Sequence, residues 1–136
     1  MTSYLLDTHI LIWWYLGSPD LPKRYLEILK ELEARESSPG VVGISIISLW
    51  EVAQLVDRGR IHVPISLDRW FQEIEESSWL TVFGLSHLTI LESVRLGTKF
   101  HKDPADRFIV ATARMERLKL MTVDQKIIES GVVTIA

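Results

Sequence analysis

Two kinds of apolar spacing alternate along this chain. Short unbroken apolar runs bounded by turn residues read as buried strands, and apolar residues three or four apart read as helices. Tyr4 to Leu6 reads as a short buried strand ending at Asp7, and Thr8 to Leu16 as a helix stopped by Gly17-Ser18-Pro19. Lys23 to Glu36 carries Tyr25, Ile28, Leu29 and Leu32 at helical spacing, and Ser37-Ser38-Pro39-Gly40 closes it. Val41 to Ile46 predicts a buried strand, and Ser48 to Arg58 a helix ended by Gly59. Further on, Ser66 to Glu76 predicts a helix, Leu80 to Leu85 a strand, and His87 to Leu96 a helix that stops at Gly97. Asp103-Pro104 opens the longest late helix, with proline in the first turn, where a missing N–H does no harm. That helix runs to about Leu118. Leu120 to Val123 reads as a strand, Gln125 to Glu129 as a short helix, and Val132 to Ile135 as a last strand. Strands alternating with helices imply parallel pairing through helical crossovers, hence an open α/β sheet.

At 136 residues, with 47% apolar and 24% charged residues, the chain predicts one globular domain spanning residues 1–136. The absence of cysteine excludes disulfides and thiolate metal sites, and it fits a reducing compartment. Met1 to Leu6 has no basic lead and is interrupted at once by Asp7 and His9, unlike an export signal. The longest apolar run, Ile10 to Leu16, falls far below the roughly 20 residues of a membrane span. A cytoplasmic protein without a membrane span is therefore expected. The net charge of −3 argues mildly against a nucleic-acid partner, but the charge is uneven. Arg95 to Lys126 holds eight Lys or Arg against four Asp or Glu, enough to track a phosphate backbone or simply to form a solvated surface.

The acids then change the picture. In open α/β sheets, ligands collect beyond the carboxyl ends of the strands. Asp7 and Asp124 follow strands, Glu51 lies early in the helix after Val41 to Ile46, and Asp103 and Asp106 open the late helix. Acids scattered in sequence therefore converge on one edge. Each has a plainer role open to it. Asp103 and Asp124 are well placed as helix N-caps, Asp7 could cap too, and Glu51 shares a face with Gln54 and Arg58. Asp106 heads a helix that is apolar on two faces, a costly place for a carboxylate unless it is paired or metal-bound. Clustered carboxylates repel, and a hard divalent cation relieves them; oxygen donors favour magnesium or manganese over zinc. The histidines His9, His62, His87 and His101 show no metal-ligand spacing and read as ordinary polar residues.

Four stretches resemble PIN domains: Tyr4-Leu5-Leu6-Asp7-Thr8-His9-Ile10-Leu11-Ile12-Trp13, Ser48-Leu49-Trp50-Glu51-Val52-Ala53, His101-Lys102-Asp103-Pro104-Ala105-Asp106-Arg107-Phe108, and Thr122-Val123-Asp124. They occur in order and span nearly the whole chain, and its short single-domain length points to the VapC-type toxins of toxin–antitoxin pairs. The resemblance implies a three-layer α/β/α sandwich with a central, mainly parallel sheet, and hydrolysis of RNA phosphodiester bonds dependent on Mg2+ or Mn2+. It carries over Asp7, Glu51 and Asp106 as metal-binding catalytic acids, Asp124 as a fourth catalytic acid, and Asp103 as an additional acid or a cap. The implied partners are an RNA substrate and a cognate antitoxin, with a homodimer also expected.

Around the acids, Thr8, Ser48 and Thr122 are candidates for phosphate or water contacts, or for ordinary capping. Lys99, Lys102 and Arg107 are candidates for RNA-backbone contacts. Trp13-Trp14-Tyr15 spreads over roughly 200° of helix, so the three cannot all face one core. Trp13 and Trp14 are therefore candidate interface residues, with a helix buried on two sides within the monomer as the alternative. Two rival functions remain: an inactive PIN-fold scaffold, and an aspartate-based phosphotransferase. The haloacid-dehalogenase form of the latter needs a second Asp where His9 stands.

Overall fold

The computed structural model describes residues 3–35, 41–101 and 103–136. Within them the elements run β1 (Tyr4–Leu6), α1 (Thr8–Leu16), α2 (Lys23–Ala34), β2 (Val42–Ser45), α3 (Ile46–Asp57), α4 (Leu67–Glu76), β3 (Leu80–Phe83), α5 (His87–Arg95), α6 (Pro104–Met115), β4 (Lys119–Met121) and α7 (Gln125–Ser130). The strands form one parallel sheet in the order β3-β2-β1-β4, with Leu6 opposite Ile44 on one side and Met121 on the other. Because side chains alternate across a strand, β1 serves two cores. Leu6 joins Ile10, Leu11, Tyr25, Leu29, Leu49 and Trp70 on one face of the sheet. Leu5 joins Ile109, Val110, Leu120 and Ile127 on the other. Helices thus cover both faces, the expected three-layer α/β/α arrangement.

Local chemistry sets the element ends. Ser45 caps α3 by accepting from Ile47 N–H at 3.1 Å, so the helix follows β2 without a loop and starts two residues before the expected Ser48. Gly17 takes a left-handed φ of 65° and ends α1, with the next N–H, from Ser18, donating to the Trp13 carbonyl at 2.9 Å. Gly43 in β2 lies under the Phe83 ring, and a Cβ there would come within 2.5 Å of a ring carbon. The predicted closure of α2 at residues 36–40 lies outside the described residues.

One expectation needs correction. Val132 to Ile135 does not form a strand: a single bridge joins Ile135 to Leu120, with Leu120 N–H donating to Thr134 and Ala136 N–H to Leu120, both at 2.9 Å. The bridge is parallel, and the pairing does not extend beyond it. α5 departs from the usual pattern of a helix packed on a sheet. Its apolar stripe would ordinarily face the core, yet Thr89 and Ser93 are the buried residues, while Leu88, Ile90, Leu91 and Val94 are 47–71% exposed. No helix among the described residues is long and apolar enough to cross a membrane.

Candidate functional site

Beyond the carboxyl ends of β1 and β4, a cleft of about 380 Å³ is lined by Asp7, Thr8, His9, Trp13, Glu51, Asp103, Asp106 and Asp124. All five acids singled out from the sequence therefore meet in one place. Three of them cap helices while lining the cleft. Asp7 Oδ1 accepts from Thr8 N–H at 2.8 Å at the start of α1. Asp103 Oδ1 accepts from Ala105 N–H at 2.9 Å at the start of α6. Asp124 Oδ1 accepts from Lys126 N–H at 2.9 Å. The positive ends of α1 and α6 consequently point at the cleft, which favours anionic groups there.

Buried hydroxyls fix one further oxygen each of Asp7 and Glu51. Thr122 donates to Asp7 Oδ2 at 2.7 Å, and its oxygen accepts from Asp124 N–H at 3.0 Å, so one side chain ties two of the acids together. Thr8 donates to Glu51 Oε1 at 2.5 Å and lies 3.0 Å from Ser48 Oγ. Thr8, Ser48 and Thr122 are 0–2% exposed. They hold acids from below, and Thr8 also lines the cleft itself.

The electrostatics are those of a crowded anionic site. Burial, then the charges of Asp7, Asp103, Glu51 and Asp124, push the Asp106 carboxyl up to about 8. Burial also raises Asp7, against the opposing hydrogen bond from Thr122. Glu51 is raised by burial and by Asp7 and Asp103, opposed by its bond from Thr8. Mutual repulsion of this kind is relieved by a proton or a cation.

His101 enters the site as well, which the sequence did not signal. Its Nε2 lies 3.3 Å from Asp106 Oδ2, and the donor atoms of His101, Asp106 and Asp124 all fall within 4.8 Å of one another. That nitrogen is buried, yet it makes no hydrogen bond among the described residues. Several clustered carboxylates and an orphaned imidazole nitrogen make a donor set that fits a divalent cation.

Arg107, a candidate for RNA contact, has its guanidinium committed elsewhere. It donates to the carbonyls of Ser93 (3.1 Å), Gly97 and Phe100 (3.0 Å), fastening the loop between α5 and α6. Lys99 is exposed on that loop; Lys102 lies outside the described residues. Trp13 lines the cleft, 5.9 Å from the His9 ring. Trp14 packs edge-on against Trp79 at 5.7 Å, and Tyr15 stacks on Trp70 at 4.1 Å. The aromatic run is thus half-buried around the first core.

The PIN domain family model matches residues 4–131. The chain is 29% identical over 127 residues to Ribonuclease VapC22 of Mycobacterium tuberculosis, covering 93% of this chain and 91% of that protein. In structure it is similar to a toxin-antitoxin complex from Klebsiella pneumoniae, with 26% identity, a TM-score of 0.57, and 90% and 88% of the two chains covered. It is also similar in fold to VapBC2 from Rickettsia felis bound to a DNA fragment from their promoter, at 18% identity and a TM-score of 0.70, covering 99% and 98%.

Proposed function

The chain belongs to the PIN domain family, and we propose that within it the chain acts as a metal-dependent endoribonuclease, the toxin of a type II toxin–antitoxin pair working in the cytoplasm. One observation carries the reading: Asp7, Glu51, Asp106 and Asp124, from four separate segments, line one cleft in which neighbouring charge and burial raise Asp106 to about 8. Asp7, Glu51 and Asp106 hold Mg2+ or Mn2+, with Asp124 as a fourth acid. Bound there, a divalent cation supplies polarisation of the scissile phosphate and acidification of water.

The chain's own residues set the geometry. Thr122 fixes the orientation of Asp7, and Thr8 that of Glu51, before any substrate arrives. The N-termini of α1 and α6 favour the phosphate electrostatically. Lys126, exposed and lining the cavity next to the cleft, and Lys99, exposed on the loop before His101, are the candidates for the RNA backbone. Asp7 is only 7% exposed with each oxygen already accepting a hydrogen bond, which suits a ligand of a small ion and not a nucleophile that must reach a bulky phosphoryl group. That weighs against a phosphotransferase.

Similarity to Ribonuclease VapC22 supports RNA as the substrate of this chain, and similarity to the Klebsiella toxin-antitoxin complex supports an antitoxin as its partner. For the antitoxin, the cavity beside Trp14, Tyr15, Trp70 and Trp79 offers aromatic contact area. The outward apolar face of α5 supports a homodimer.

Incubation of the purified protein with single-stranded RNA tests the reading. Cleavage should leave 5′-phosphate ends, stop in EDTA, return with manganese or magnesium, and be absent in Asp106→Asn. Undiminished cleavage in chelator, with the variant as the control for contaminating nuclease, overturns it.

A further inference from the structure

We propose that His101 is a metal ligand, its Nε2 joining Asp106 and Asp124 in a mixed nitrogen–oxygen site where the cleft meets an adjoining cavity that shares its Asp103, Asp106 and Asp124 walls, and tilting the chain's preference from magnesium toward manganese. The inference rests on the metal-binding reading of the cleft and adds a residue to it. Its first support is convergence. A loop, the first turn of α6 and the start of α7 bring one nitrogen and two carboxylates to within 4.8 Å of one another.

The second support is the way His101 and Asp106 meet. Nε2 lies 3.3 Å from Oδ2, yet the ring N–H direction makes no hydrogen bond to it. A histidine serving only as an ion-pair partner would aim its N–H at the carboxylate. Two ligands of one ion instead point at a common third position and sit side by side. With metal–donor bonds of about 2.0–2.2 Å, adjacent ligands in an octahedron are about 3 Å apart, close to the separation seen here.

The third support is that the imidazole is held in place. The Phe100 ring lies against it at 4.6 Å with a 31° tilt, Phe100 is 4% exposed, and Arg107 grips the Phe100 carbonyl. Little side-chain freedom remains to be lost when the nitrogen takes a ligand role. Imidazole nitrogen suits first-row transition ions, whereas magnesium prefers oxygen and retains its waters. One nitrogen among oxygens therefore moves selectivity in a defined direction.

The test uses the metal-free full chain with manganese and magnesium as probes. Calorimetric titration gives both affinities, and pulsed paramagnetic resonance of bound Mn2+ reports directly coordinated nitrogen. Wild type should show a nitrogen coupling. His101→Gln should lose that coupling and bind manganese about tenfold or more weakly, with magnesium weakened less than about threefold. Nitrogen coupling absent from wild type, coupling that persists in His101→Gln, or an unchanged manganese-to-magnesium ratio overturns the assignment. Asp106→Asn separates the role of His101 from that of the cleft. If it binds manganese as wild type does, the metal reading of the cleft fails as a whole. If it loses manganese while His101→Gln keeps both ratio and coupling, only the role of His101 falls.

Discussion

Replacing Asp106 by Asn removes one charge from the cleft while keeping the size and shape of the side chain. In the folded, metal-free protein the Asp106 carboxyl titrates at about 8, against an ordinary value of 3.8. Between those two pH values the folded chain holds a proton that the unfolded chain has released. Stability of the metal-free wild type therefore falls as pH rises through that window and levels off above about 8. At about 1.36 kcal/mol for each pKa unit, the difference sets a ceiling of about 6 kcal/mol. The Asp106 side chain retains 16% of its exposure and the cleft opens to solvent, where counterions gather. Screening leaves about 1–3 kcal/mol of destabilisation at pH 8.

Asp106→Asn should recover that amount without metal, melting a few degrees above wild type at pH 8 and level with it near pH 4. Added magnesium should stabilise wild type and leave the variant unchanged. Paired melting curves at the two pH values, with and without magnesium, give every one of these differences. RNA cleavage should disappear in the variant. A variant that melts clearly below wild type without metal at pH 8, and still cleaves, refutes the view of Asp106 as a repelled, metal-seeking carboxylate.

Other consequences follow from the supports of the site. Thr122→Val keeps the shape but strips the hydroxyl from Asp7 and Asp124; it should cost about 1–3 kcal/mol and at least tenfold in cleavage, roughly the cost of leaving buried groups unpaired, while Thr122→Ser stays near wild type in both melting and cleavage assays. Arg107→Gln should lower stability by about 2 kcal/mol because one α5 carbonyl and two loop carbonyls lose their donor, and the salt dependence of RNA binding should keep its slope; a slope reduced by about one charge would return Arg107 to the RNA. Leu91→Asp with Val94→Asp should turn a dimer into a monomer on sedimentation with little change in melting, since both side chains are about half exposed or more; persistent dimers move the self-interface elsewhere.

What was legible in the sequence was whatever depends on neighbours along the chain. β1 and Asp7 were visible because a short apolar run ends in an acid, and α6 because Asp103-Pro104 is a local helix-start signal. His101 was not legible, since its partners come from the first turn of α6 and from the start of α7, a juxtaposition that no spacing rule encodes. The role of Arg107 was hidden for a similar reason: its partners are backbone carbonyls of α5 and of the loop after it, which have no residue identity to recognise. On α5 the stripe of Leu88, Leu91 and Val94 was present in the letters. Periodicity marks a side as apolar, but it does not say whether this chain or another covers it.

For the acids the same division between local and assembled information runs through single side chains. From sequence, N-cap and ligand were rival roles for Asp7, Asp103 and Asp124, because each residue was weighed as a unit. In the fold the choice largely dissolves, since a carboxylate has two oxygens with about four acceptor positions. Asp124 accepts from Lys126 and Ile127 N–H through Oδ1 alone and still belongs to the cluster with Asp106 and His101. Capping in fact prepares the acid for its other work. It fixes χ1 and sets the carboxylate beside the positive end of a helix. Asp106 is the exception that marks the centre. It lies inside the first turn of α6, does not cap it, and is pushed up to about 8 with no hydrogen bond among the causes to oppose the rise. The capped acids are braced by backbone donors, and Glu51, which caps no helix, by the Thr8 hydroxyl; Asp106 is left facing all of them, the position from which a cation would relieve the most repulsion.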